Sequence, residues 1–142
     1  MAIPGQLAFF PVCVIALSWS LFAACTHGAV SSSLAKQEQI VGGLGFEFWT
    51  VPSPARVGEN IIFVELDAGS DKVLSELHVL LTYMASSAST PIHTSMRNTE
   101  SLDTFSSTLQ LTKAGPATFI VTVQSPSRPP VRATFTVTVV ER

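Results

Sequence analysis

The chain reads as an all-β protein, an antiparallel β-sandwich standing behind an N-terminal export segment and a flexible linker. Three observations predict this class. From Phe46 onward apolar residues recur with period two, so each strand has one face to bury. Clusters of Pro, Gly, Ser and Asp punctuate those runs as strand-to-strand turns. No long stretch carries the 3.6-residue period of an amphipathic helix. Six to seven such strands within residues 46–142, sharing an aliphatic and aromatic interior, point to a sandwich of immunoglobulin type. An open barrel is the competing all-β arrangement.

The first element is the leader, residues 1–24. "LAFFPVCVIALSWSLFAAC", Leu7 to Cys25, carries no charge, and the first charged side chain of the chain is Lys36. The apolar run ends in small residues, Ala23 and Ala24, just before Cys25. That ending resembles the bacterial lipobox, where small residues admit a lipoprotein signal peptidase and the freed cysteine is acylated. Cys25 is therefore the expected lipidation site. An uncleaved membrane helix and plain secretion are the alternatives, since the run is just long enough to span a bilayer. All three place the rest of the chain outside the cytoplasm, in the periplasm or at the cell surface. Cysteine usage agrees: Cys13 and Cys25 are the only cysteines. The domain has no disulfide, thiolate ligand or thiol nucleophile, which excludes a blue-copper site.

Residues 25–45 read as the lipidated cysteine and a flexible linker. "THGAVSSSLAKQEQIVGGLG" is rich in Ser, Ala and Gly, and only "LAKQEQI" suggests a helical turn. A tether of about 20 flexible residues reaches roughly 25 Å, enough to hold a small domain clear of lipid headgroups.

The domain follows, residues 46–142. "FEFWT" sets Phe46 and Phe48 against Glu47 and Trp49. "VPSPARVGEN" holds two prolines and a glycine and reads as an edge or connection. "NIIFVELD" puts Ile62, Val64 and Leu66 inward and Ile61, Phe63 and Glu65 outward. "ELHVLLTY" aligns Leu77, Val79, Leu81 and Tyr83, leaving His78, Leu80 and Thr82 on the other face. "TFSSTLQL" aligns Phe105, Ser107, Leu109 and Leu111, and "ATFIVTVQ" aligns Phe119, Val121 and Val123. "VRATFTVTVV" points Val131, Ala133, Phe135, Val137 and Val139 inward and its arginine and threonines outward. The predicted core is centred on Val64, Leu66, Leu81, Phe119, Phe135 and Val137.

The order of these features resembles the YtkA-like/FixH-like extracytoplasmic immunoglobulin-like domain family. "VPSPARVGENIIFVELDAGSDKVLSELHVLLTYMASS" is similar to its first half: a Pro-containing segment, a Gly-polar pair, a strand ending in Asp, a Gly-containing turn, and a strand leading to a Met- and His-containing loop. "DTFSSTLQLTKAGPATFIVTV" is similar to its second half. The chain departs from the pattern at Ala117, where the family has Trp two residues after a glycine such as Gly115. Its loop is also sparser in methionine. The resemblance implies a sandwich at the membrane surface with a role around copper or heavy-metal handling. Its partners would be the membrane and an envelope metal-handling or membrane protein.

Function hinges on "YMASSASTPIHTSM", Tyr83 to Met96, which holds Met84, His93 and Met96. Thioether sulfur is soft and suits Cu(I), and imidazole adds a stronger donor. The expected arrangement is a loop that leaves the sheet after Tyr83 and brings the three side chains together, with Pro91 holding the chain extended before His93. His78 joins if its strand borders the loop. The bland alternative makes Met84 packing material and His93 a solvated residue. Other chemistry finds less support. Asp67, Gly69 and Asp71 in "DAGSD" suit a turn better than a Ca²⁺ loop, which needs six to eight oxygens. His93 has no orienting acid at a telling spacing, with Glu100 and Asp103 the nearest candidates in sequence. No nucleophile, base and oxyanion donor assemble, so the domain reads as non-enzymatic. A net charge of −2 and a pI near 5.8 leave no basic footprint for nucleic acid. Two classes remain: an accessory module binding copper through a Met/His loop, and a structural or protein-interaction module of the bacterial envelope.

Overall fold

A computed structural model describes residues 34–69, 76–86, 90–101 and 103–142. The leader, Cys25 and most of the linker lie outside the described residues. The remainder is an immunoglobulin-like antiparallel sandwich. Its nine strands are β1 (Gln37–Val41), β2 (Leu44–Val51), β3 (Gly58–Asp67), β4 (His78–Ala85), β5 (Ile92–Ser95), β6 (Arg97–Asn98), β7 (Thr104–Leu111), β8 (Gly115–Ser125) and β9 (Arg128–Val139). One sheet has the order β1-β2-β3-β7-β6 and the other β5-β4-β8-β9. Among the described residues no helix is long and apolar enough to cross a membrane.

Period-two alternation places the core as anticipated. Val64, Leu66, Leu81, Phe119 and Phe135 are buried, and Val137 is half-buried against them. Aromatic rings join the two sheets. Phe48 of β2 stacks on Phe135 of β9, with centroids 4.6 Å apart, and meets Phe119 of β8 at 5.3 Å. Tyr83 of β4 extends the cluster, 5.2 Å from Phe119. Rings packed offset or tilted in this way add attraction beyond their buried area.

Two expectations are corrected. The linker does not run to residue 45: Gln37–Val41 is a strand paired with β2, not a helical turn or a tether. Gly42 and Gly43 join the two strands with φ of 59° and 79°. Positive φ at both central residues is what a two-residue type I′ hairpin turn demands, and glycine supplies it without strain. β1 has little apolar face because two of its three inward positions are glutamines, and only the third, Val41, packs against the core. Gln37 and Gln39 lie opposite Phe48 and Phe46, and their amides donate to the carbonyls of Thr136 (3.0 Å) and Thr134 (2.6 Å) on β9. Side-chain amides thus cover carbonyls along the edge strand of the second sheet.

The second correction concerns Tyr83–Met96. The chain does not leave the sheet after Tyr83: β4 continues through Ala85, and β5 folds back on it with His93 opposite Thr82. At Met96 the chain changes sheets. Its amide donates to Val79 O at 2.8 Å, and β6 then joins β7 in the other sheet.

The connection at residues 52–57 is tied down by a buried asparagine. Asn60 is 1% exposed. Its Oδ1 accepts from Arg56 N at 3.0 Å, and its Nδ2 donates to Arg56 O (2.6 Å) and Gly58 O (2.9 Å). The connection then pairs in parallel with the chain's end, through Val57 N to Val140 O and Val140 N to Ala55 O, both 2.9 Å.

Candidate functional site

The Met/His set divides between the outside and the inside of the sandwich. Along β4, Val79, Leu81, Tyr83 and Ala85 are buried, and the alternate positions His78, Leu80, Thr82 and Met84 form the outer face. Met84, half-buried, lies opposite Thr118 of β8. His93 is exposed on the same outer face, and its Nδ1 shares a hydrogen bond with Thr82 Oγ1 at 2.9 Å. Met84 and His93 are therefore diagonal neighbours, a spacing long side chains can close. Met96 goes the other way. It is 6% exposed and belongs to the core. His93 and Met96 are three residues apart in extended chain, and an odd separation there points side chains to opposite faces. The three do not converge.

The remaining candidates are also apart. His78 is exposed at the far end of β4, four residues and roughly 13 Å before Thr82 at the usual strand rise. The His93 ring bonds Thr82 rather than Glu100 or Asp103. Asp67 Oδ1 accepts from Gly69 N at 2.8 Å, as a turn-forming aspartate does, and Asp71 lies outside the described residues. No group of three or more His, Cys, Asp or Glu is placed to hold a metal ion among the described residues.

A second surface stands out on the outer face of the five-stranded sheet. Trp49 of β2 and Phe63 of β3 lie directly opposite one another and stack, with centroids 5.3 Å apart and planes within 6°. Both rings are half-buried. Beside them, Val51 opposite Ile61 continues an apolar strip, each side chain exposed. On the other side runs a row of carboxylates: Glu38 opposite Glu47, and Glu47 opposite Glu65. Like charges directly opposite on neighbouring strands repel, so this row costs stability rather than adding it. Lys36 offsets it. Lys36 Nζ lies 2.6 Å from Glu47 Oε2 and 4.0 Å from Glu65 Oε2, and 4.6 Å from the centroid of the Trp49 ring. The hydrogen bond to Glu47 raises the Lys36 pKa above its ordinary value. Desolvation opposes that, and the charges of Glu47, Glu65 and Glu38 add to it.

The signal for this surface was in the sequence. Trp49 and Phe63 occupy the outward, normally polar parity of "FEFWT" and "NIIFVELD". What hid it was the register, which alone shows that the two rings touch and that three glutamates align.

The chain is thus an immunoglobulin-like β-sandwich with an aromatic, acid-bordered outer face. No family model, curated protein or solved structure matches it.

Proposed function

We propose that this protein is a membrane-tethered, extracytoplasmic, non-catalytic interaction module of the bacterial envelope, docking through the outer face of its five-stranded sheet. The observation that carries the reading is the stacked Trp49–Phe63 pair with Val51 and Ile61 beside it. The core is already closed by Phe46, Phe48, Phe105, Phe119 and Phe135, so the outer rings are not needed to fill it. Large aromatic side chains rimmed by charge are the composition of binding hot spots. The leader ending at Cys25 and the resemblance to the YtkA-like/FixH-like domains support the location at the membrane. A photo-crosslinker at Ile61, on this face, and another at Thr134, on the opposite sheet, test the docking face in intact cells. A specific adduct from Ile61 alone, lost in Trp49→Ser, is expected. Equal adducts from both positions, or none from Ile61, would refute it.

The copper reading keeps one specific observation in its favour: Met84 and His93 share a face, and the Nδ1 bond to Thr82 orients the imidazole. A thioether and an imidazole suit Cu(I). On this geometry the ligands are Met84 and His93, and Met96 is a core residue. Anaerobic Cu(I) titration of the full chain then shows weaker binding in Met84→Leu and His93→Ala but not in Met96→Leu. No affinity above the double variant Met84→Leu/His93→Ala would end this reading.

A further inference from the structure

We infer that the docking face receives a basic protein segment, and that Lys36 occupies the cation position of that segment while the partner is absent. The inference rests on the docking reading above and adds the partner's chemistry. Three features of the face carry it.

The first is charge complementarity. Glu38, Glu47 and Glu65 form one continuous cross-strand row, with Asp67 on the same face one step further along β3. Among the described residues Lys36 is the cation that ion-pairs with the row, and Arg97 of β6 lies on the same face two strands away, beyond Ser106, so four acids face two cations and negative charge is left for a partner to neutralise. An acidic partner would add like charge to a row that already repels itself.

The second is the way Lys36 is held. Its ammonium touches a carboxylate and an indole face together. That combination recognises an alkylammonium or guanidinium by ion pairing and by attraction to the ring quadrupole. A lysine or arginine from another chain would meet the same two groups in the same place.

The third is that Lys36 can leave cheaply. It precedes β1, whose pairing with β2 begins at Gln37, so its departure breaks no ladder bond. Its side chain is 40% exposed, and pairs that exposed are held weakly. An extended basic segment crossing Val51, Ile61, Phe63 and Trp49 would bury the apolar strip and set its own cation beside Glu47. Lys36 is a built-in competitor for that position.

The test is fluorescence anisotropy of a labelled oligolysine peptide titrated with the detergent-solubilised full chain, with an oligoglutamate peptide as control. Saturable, salt-sensitive binding of oligolysine alone is expected. Lys36→Gln is expected to tighten it by about threefold to tenfold, the range an exposed ion pair and cation–π contact supports. Arg132→Gln makes the same change in net charge on the opposite sheet and is expected to change affinity little. Glu47→Gln and Trp49→Leu are expected to weaken binding about tenfold or more. If Lys36→Gln has no effect, weakens binding, or matches Arg132→Gln, the competitor role is overturned. If oligolysine fails to bind both wild type and Lys36→Gln, the basic-partner chemistry is overturned. An adduct from Ile61 that requires Trp49 would then still uphold the docking face.

Discussion

Asn60 offers the sharpest test of how the sandwich is held. Its amide is buried and makes three hydrogen bonds to the backbone of Arg56 and Gly58. Asn60→Ala removes all three at once. At about 1 kcal/mol each, the loss is about 3 kcal/mol, falling toward 2 if water reaches the freed groups. Urea unfolding should show a lower midpoint with an unchanged slope, because the core and its buried area are untouched. Thermal unfolding should fall by about 4–8 °C for each kcal/mol in a domain of this size. A loss below about 0.5 kcal/mol would refute the assignment of Asn60 as the organiser of residues 52–57. Asn60→Asp sharpens the test through pH. An oxygen then faces two carbonyls, which disfavours the charged form and lifts the folded-state pKa above the unfolded value of about 3.9. Below the unfolded pKa the acid is neutral in both states and the electrostatic penalty is absent. As pH rises through the folded pKa the penalty develops in full, so this variant should lose stability relative to wild type between acid and neutral pH.

Phe135→Ala removes the fully buried ring that stacks on Phe48, and a loss of about 3–5 kcal/mol in chemical unfolding is expected, while a loss below about 1 kcal/mol would contradict its burial. Tyr83 buries a hydroxyl with no hydrogen-bond partner among the described residues, and burial pushes its pKa up. Tyr83→Phe should therefore be neutral or stabilising by up to about 1 kcal/mol, and a clear destabilisation would reveal a partner for the oxygen. Cys25→Ser should release the protein from membranes or leave an uncleaved precursor, and intact mass of an unmodified mature chain starting elsewhere would refute lipidation.

The long strands were legible because each buries one face, and a run such as "VRATFTVTVV" can satisfy that only as an alternating strand. β1 was not, because two of its three inward positions are Gln37 and Gln39, which bond to carbonyls instead of packing on carbon, leaving Val41 alone against the core. The Gly42–Gly43 pair is itself a hairpin signal, but it sits in a stretch whose Ser, Ala and Gly content is that of a linker. Met84 and His93 were anticipated as neighbours for the wrong reason: strand register, not a loop, brings them to one face. Met96 faces the core because three-residue spacing, which converges in a turn, diverges in extended chain. The aromatic and acidic rows needed cross-strand register, which no single segment contains.

The glutamine bonds from β1 to β9 also bear on mechanics. If the domain is held through its N-terminal side, as proposed above, tension enters just ahead of β1, at the open end of the β1–β2 hairpin. A pull there peels β1 from β2 one ladder bond at a time, the low-force direction for antiparallel strands. Gln37 and Gln39 lie among the first residues to take that load, and each ties β1 to the opposite sheet as well. Tension applied from that side is thereby shared across both layers before it reaches the hairpin turn.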